Sequence, residues 1–383
     1  IHQRFIEIVE RTLAQNDFPR QVVARLRTLI AEIPEAELRP LHDPGPDVAS
    51  WNDCLARHRG KNWLEPPWFF AEHYFYRRII AAVGYFQPGT MHGYDPFEST
   101  KQQGLEKGVP TIRALAKRLD AWLRHDSPDR SLLTQLMYLD LWGNQADLSL
   151  WPADDSVDDK PDHADISQAQ AYLLQDDSAD VAAYLLSLEP KQSRVDFLVD
   201  NAAVELVGDL ILADYLLTAE LVARVRLHLK AHPTFVSDAT PKDVDATIAF
   251  LQHHADLDVR ALGQRLRSHL GEGRLQMRTN YFWNSPLDGW NLPQPLAQDL
   301  ARADLVISKG DANYRRLLGD RHWEVTTPFA EIVSYFPAPL LALRTLKSEL
   351  ACGLEPGQAE TVAAQDPDWM VNGRWGLIQY FGG

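Results

Sequence analysis

Between Val195 and Leu206 an apolar segment of strand length ends in an Asp-Asn pair and turns at once into a helical pattern. Val195-Asp196-Phe197-Leu198-Val199 closes on Asp200-Asn201, and apolar residues then recur through Leu206, Leu210, Ile211, Leu212, Tyr215, Leu216 and Leu217. A buried strand feeding directly into a long helix restricts the chain to an α/β architecture, and open α/β sheets place their chemistry beyond the carboxyl ends of the strands. A second run, Pro233-Thr234-Phe235-Val236-Ser237-Asp238, repeats the grammar, with a helix from about Pro241. Asp200, Asn201 and Asp238 would then supply three oxygens at one sheet edge, the ligand set that magnesium or manganese prefers. Each also has a plainer reading. Asp and Asn are common helix caps, and Asp238 suits a turn before Pro241.

The alternation continues to the end of the chain. Strands are expected at 195–200, 233–238, 275–282, 303–308, 339–345 and 375–381, and helices at 203–230, 241–254, 258–270, 294–302 and 311–318. This predicts an α/β fold: a three-layer α/β/α, Rossmann-like domain with a mostly parallel sheet and right-handed connections, over 191–383. Residues 1–190 read as an N-terminal helical region. Phe5, Ile8, Val9 and Leu13 recur at helical spacing, as do Val22, Val23, Leu26, Leu29 and Ile30; Trp68–Val83 follows Pro66-Pro67, and Thr111–Leu123 and Ser131–Leu141 add two more helices. The acidic stretch from Trp151 to Ala164 reads as a solvated, mobile loop.

A net charge of −15, from 53 acidic and 38 basic residues, argues against nucleic acid or an anionic membrane as partner. No apolar stretch reaches transmembrane length; Asp209 and Asp214 interrupt even the run from Leu206 to Leu217. Two cysteines, Cys54 and Cys352, make no disulfide framework and fit a cytoplasmic protein. No Rossmann glycine fingerprint follows any strand, so a dinucleotide is not the expected ligand.

Two further turns carry charge. Ser308-Lys309-Gly310-Asp311-Ala312-Asn313-Tyr314 follows the strand Asp304-Leu305-Val306-Ile307 and offers a cation plus backbone N–H groups at a helix start, a natural phosphate seat. Arg344-Thr345-Leu346-Lys347 follows the apolar run Pro339–Leu343, either as surface cations at a helix start or as two charges facing a phosphate. His253-His254 lacks the spacing of a zinc site. Trp283 and Trp290 flank a loop suited to a cleft wall or to core packing.

Several of these runs, in this order, resemble the signature of the damage-control phosphatase family (domain of unknown function 89): Asp200-Asn201-x-x-x-Glu205-Leu206, Val236-Ser237-Asp238, Lys309 to Arg315, and Arg344-Thr345-Leu346-Lys347. Pro67 to Arg78, Leu141 to Ser149 and Asn372 to Gly376 extend the similarity over nearly the whole chain. The Arg-Thr-x-Lys motif points to subfamily III, one member of which bears a methyltransferase name.

The resemblance implies a metal-dependent phosphatase acting on sugar phosphates such as fructose 1-phosphate, with manganese, cobalt, nickel or magnesium. Asp200, Asn201 and Asp238 match the metal ligands, Gly310, Asp311, Ala312, Asn313 and Tyr314 the substrate loop, and Lys347 a substrate contact. Glu205 matches a position assigned to S-adenosylmethionine in the methyltransferase-named member, so a protein carboxyl methyltransferase is the alternative; a non-catalytic metabolite-binding module is a third. Ala203 stands where the family usually has Gly, and Ala312 where it often has Leu. Lys309 and Arg344 are expected to help hold the phosphate. Glu72 and Arg77, on one aromatic helix, are placed either to reach the sugar or to form structural ion pairs, and Asn144 and Asp147 are further candidates to line the cleft.

Overall fold

A computed structural model of the chain describes residues 2–124, 127–143 and 170–383. The acidic loop expected at 151–164, together with Asn144 and Asp147, lies outside the described residues. The chain divides into two compact units. The first comprises Ile1–Gln103, Lys230–Thr240 and Thr279–Leu287; the second comprises Gly104–Leu229, Pro241–Arg278 and Asp288–Gly383.

The first unit is helical around an aromatic core. Its central helix, Trp68–Val83, starts after Pro67, whose fixed φ suits a helix entry, and stops at Gly84 in the left-handed conformation. Phe5, from the helix His2–Gln15, stacks on Phe75 with ring centroids 4.1 Å apart and on Trp68 at 5.3 Å. Burying such rings accounts for this unit's cohesion, since each removes roughly 150–250 Å² from water.

The second unit is an α/β fold. Among the described residues seven strands form one sheet: β1 (Leu173–Asp176), β2 (Arg194–Leu198), β3 (Arg224–Leu229), β4 (Leu275–Thr279), β5 (Leu305–Lys309), β6 (Leu340–Thr345) and β7 (Gly376–Phe381), in the order β1-β7-β6-β5-β2-β3-β4. β2 is parallel to both β3 and β5, β5 is parallel to β6, and only the β6–β7 pairing is antiparallel among the pairings that border β5, β6 and β7. β2 and β5 are buried throughout, as strands covered on both faces must be. Flanking helices supply the cover: Val204–Thr218 packs on β3, Gly310–Leu317 on β5 and β6, and Arg130–Trp142 on β6. Among the described residues no helix is long and apolar enough to cross a membrane.

Three expectations are corrected here. The helix expected at 203–230 ends at Thr218; Glu220 turns the chain at φ 52°, and Arg224–Leu229 is a strand. The run 233–238 is a loop instead of a strand, with Phe235 at φ 49° and Val236 at φ 67°, values no strand adopts. The chain also does not divide at residue 190, because the helices Val109–Leu123 and Arg130–Trp142 pack on Val204–Thr218 within the second unit.

Candidate active site

From β2 the chain proceeds to β3 and β4 on one side of the sheet, whereas β5 adds on the other side of β2. The strand order therefore reverses between β2 and β5, and the crevice beyond their carboxyl ends is where open α/β sheets bind ligands. Asp200 follows β2 and Gly310 follows β5, so both residues sit at that reversal.

The turn after β2 is tightly specified. Asn201 donates from Nδ2 to Oδ2 of Asp200 at 3.0 Å and to Oε2 of Glu205 at 2.9 Å. Both carboxyl groups are buried, so one amide holds the two of them as neighbours. Neither Asp200 nor Asn201 caps the following helix. Ala203 occupies the cap position with no side-chain hydrogen bond, and its backbone (φ 60°, ψ −134°) is one that glycine adopts far more easily. That geometry explains why a glycine suits position 203.

Gly310 opens the helix Gly310–Leu317 at φ +79°, and a Cβ there would meet Oδ2 of Asp200 at 1.9 Å. Only glycine lets the two turns approach this closely. Asn313 ties them further, donating from Nδ2 to the carbonyls of Leu198 (3.2 Å), Val199 (3.4 Å) and Lys309 (3.0 Å). Tyr314 points inward and donates to Oε1 of Gln379 at 2.6 Å. Burial above all raises its phenol well above the usual range, so it stays neutral. With these side chains turned in, what Gly310, Asp311 and Ala312 offer a ligand is the backbone N–H groups of a helix start, unpaired within the helix and at the positive end of its dipole.

The cations expected to face a phosphate divide. Lys309 is buried and turned inward: Nζ donates to the carbonyl of Asp140 at 2.7 Å and its Oδ1 at 2.5 Å, and lies 3.0 Å from Oδ1 of Asp209. Burial alone would lower this ammonium's pKa, but Asp140 and Asp209 outweigh it and hold it above the ordinary lysine range. Arg344 is equally engaged. It donates to Asp311 at 2.9 Å, to the Leu350 carbonyl at 2.5 Å and to Ser348, and lies 4.3 Å over the Tyr314 ring. A guanidinium buried and engaged in this way braces the turn. Lys347 alone of the three is exposed, at the turn that Asp311 gathers through its contacts to Arg344 and Ser348.

Asp238 belongs to the first unit and is described there. It is buried in the Pro233–Asp238 loop, 3.2 Å from the ammonium of Lys230, a residue sequence reasoning passed over. The backbone of Lys230 donates to Ala239, and Phe235 packs against His73 and Tyr76, which fixes the loop. Glu72 is buried beside Arg4 at 3.4 Å. Burial and then Glu72 drive the Tyr76 phenol far above its ordinary range, with Asp238 adding to the effect. Arg77 takes the structural alternative, held by Asp43 and Asp47 at 2.8–2.9 Å.

The family model described as "Damage-control phosphatase ARMT1-like domain" matches residues 1–362. The damage-control phosphatase ARMT1 of Danio rerio is 34% identical over 362 residues, covering 89% of this chain and 80% of its own. The human protein of that name is 33% identical over 365 residues, covering 90% and 82%. A solved structure of a DUF89 family protein from Pyrococcus horikoshii aligns over 99% of this chain and 95% of its own, at 16% identity and a TM-score of 0.49. With a family model spanning nearly the whole sequence and relatives a third identical over most of their length, the chain belongs to the damage-control phosphatase family, in its ARMT1-like branch.

Proposed function

We propose that this phosphatase hydrolyses phosphomonoesters of small sugar-phosphate metabolites, fructose 1-phosphate among them, with a divalent cation held by Asp200, Asn201 and Asp238. The observation that carries the reading is the Asn201 bridge, which keeps two buried carboxylates side by side, against the start of the Gly310–Leu317 helix. Asp200 in that turn, with Asn201 and Asp238, makes an all-oxygen set, which selects a hard cation: magnesium, manganese, cobalt or nickel. Among the described residues no group of three or more His, Cys, Asp or Glu forms a metal cluster.

When bound, the cation supplies Lewis acidity toward the phosphoryl oxygens. The chain's own part is to seat the phosphate. The amides of Gly310, Asp311 and Ala312 point at its oxygens, and Lys347 adds one flexible positive charge as negative charge develops. Glu72 would face the sugar hydroxyls. Lys309 and Arg344 act behind this surface. The donor set itself, two carboxylates and an amide, carries no more charge than a divalent ion offsets.

The methyltransferase alternative is disfavoured by two features. No glycine occurs in the turn 199–203 after β2, and Glu205, the residue it would use, is already bound by Asn201. The two cysteines are free and buried, in keeping with a reducing cytoplasm as the proposed compartment. The test is phosphate release from a panel of sugar phosphates with manganese, cobalt, nickel or magnesium, run beside a methyl-transfer assay. Metal-dependent phosphate release supports the reading; methyl transfer without phosphate release overturns it.

A further inference from the structure

Behind the Gly310 turn lies a charge cluster that the reaction as described does not use. Lys309, Asp140 and Asp209 are each buried, and they come from three elements: the end of β5, the helix Arg130–Trp142 and the helix Val204–Thr218. Lys309 Nζ reaches both the side chain and the backbone carbonyl of Asp140, and it lies 3.0 Å from Asp209. Asp209 stands one helical turn after Glu205, which Asn201 links to Asp200. On the other side Lys309 is covalently joined to Gly310, whose backbone presses on that same Asp200 carboxylate. The cluster therefore holds the turn from both directions.

We propose that Lys309 is a positioning residue, anchored by Asp140 and Asp209, that fixes the spacing between the Gly310 amide and the Asp200 carboxylate and so sets the phosphate seat. This rests on the phosphate-binding role proposed for Gly310–Tyr314. The charge count supports it. One ammonium cannot neutralise two carboxylates out of water, and burial, reinforced by Asp140 and Glu205 against the pull of Lys309, raises Asp209 well above the ordinary range. The geometry gives Asp140 the closer hold on the ammonium, a 2.5 Å hydrogen bond beside a 3.0 Å approach of Asp209, so the three elements are tied through Lys309.

Lys309→Met alone strands the Asp140 charge and is expected to unfold the protein. The double variant Lys309→Met/Asp140→Asn removes both charges, which keeps the fold testable. In this protein inhibition by inorganic phosphate should weaken by about tenfold or more and kcat/KM should fall by a similar factor, because displacements near 1 Å at a reacting centre cost up to about a hundredfold. Divalent manganese affinity should shift far less, by about threefold at most, since no proposed ligand is altered. Asp140→Asn should lower kcat/KM about tenfold more than Asp209→Asn, because Lys309 donates to Asp140 Oδ1 at 2.5 Å and lies farther, at 3.0 Å, from Asp209. A folded double variant with wild-type phosphate inhibition, or equal losses in the two single variants, overturns the positioning role. Absence of phosphate inhibition and turnover in the unaltered protein would instead overturn the phosphatase site reading itself, so the two failures are distinct.

Discussion

Gly310 approaches Asp200 so closely that a side-chain carbon at position 310 would lie 1.9 Å from Oδ2 of the carboxylate. Nothing in that contact is flexible on the helix side, because the intruding carbon is fixed to backbone at φ +79°. Gly310→Ala must therefore push Asp200 out of place, besides placing alanine in a left-handed conformation at a cost of about 1–2 kcal/mol. Steady-state kinetics with a sugar phosphate should show kcat/KM reduced by roughly a hundredfold, at a melting temperature only modestly lowered. Full activity in Gly310→Ala would mean that the two turns do not share a site.

Ala203 presents the opposite case, an alanine where the backbone asks for glycine. Ala203→Gly should relieve backbone strain of about 1–3 kcal/mol while adding back a smaller unfolded-state entropy cost, for a net gain of roughly 1 kcal/mol. Urea denaturation is the check, and a lowered midpoint would contradict the strain assignment.

Acid sensitivity is expected in the first unit. Burial works to raise Asp47, but its hydrogen bonds to His232 and Arg77 and the charge of Arg77 outweigh that and hold the carboxyl far below the usual range. A depressed carboxylate contributes stability that is present above its unfolded value of about 3.9 and is lost as pH falls through the folded value. Asp47→Asn should thus cost about 3 kcal/mol at neutral pH, the scale for breaking a buried ion pair. The gap between variant and wild type should close as the solution is acidified below pH ~4. A gap that persists unchanged in acid would exclude this linkage.

Parts of this were legible in the sequence for definite reasons. The helix Trp68–Val83 was readable because Pro66-Pro67 marks its entry and its aromatic face repeats at helical spacing. The strand-to-turn junction at Asp200-Asn201 was readable because the apolar run is short and stops on polar residues. The break after Thr218 was hidden, since no glycine or proline marks it and Glu220 supplies the positive φ. Arg224-Val225-Arg226-Leu227-His228-Leu229 alternates as a strand does, a signal submerged by the long apolar helix before it. The β-branched, aromatic run 233–238 suggested a strand, yet Phe235 and Val236 take positive φ in a loop whose Phe235 packs on Tyr76 and His73. β1, only four residues at the sheet edge, left too little pattern to notice. Charge could be counted but not aimed: Lys309 and Arg344 read as phosphate-facing, and both point inward. A lone aspartate in the apolar helix Leu136-Met137-Tyr138-Leu139-Asp140-Leu141-Trp142 was the available clue to Lys309's partner.

Of the three cations expected to face a phosphate, Lys347 is the exposed one, and we propose it as the substrate contact. Lys347→Ala should lose a charge-assisted contact of about 1.5–3 kcal/mol, hence roughly 10- to 150-fold in kcat/KM. Lys347→Arg should restore little of it, because a planar fork does not reproduce a point charge. Because the side chain is exposed, melting temperatures should be unaffected. Unchanged kinetics in Lys347→Ala would remove this residue from the site.

On the proposed function, Asp200 helps hold a divalent ion on which phosphate release depends. Isothermal titration of manganese into wild type and Asp200→Ala, paired with phosphate release in the presence and absence of EDTA, tests it most directly. Wild type is expected to bind the ion and to lose turnover in EDTA. Asp200→Ala, still folded, should bind manganese more weakly by roughly a hundredfold or more, the upper end of what loss of a mere outer-shell partner costs, and should show no metal-dependent turnover. Manganese binding and metal-dependent turnover that survive in Asp200→Ala, or wild-type turnover indifferent to EDTA, would contradict it.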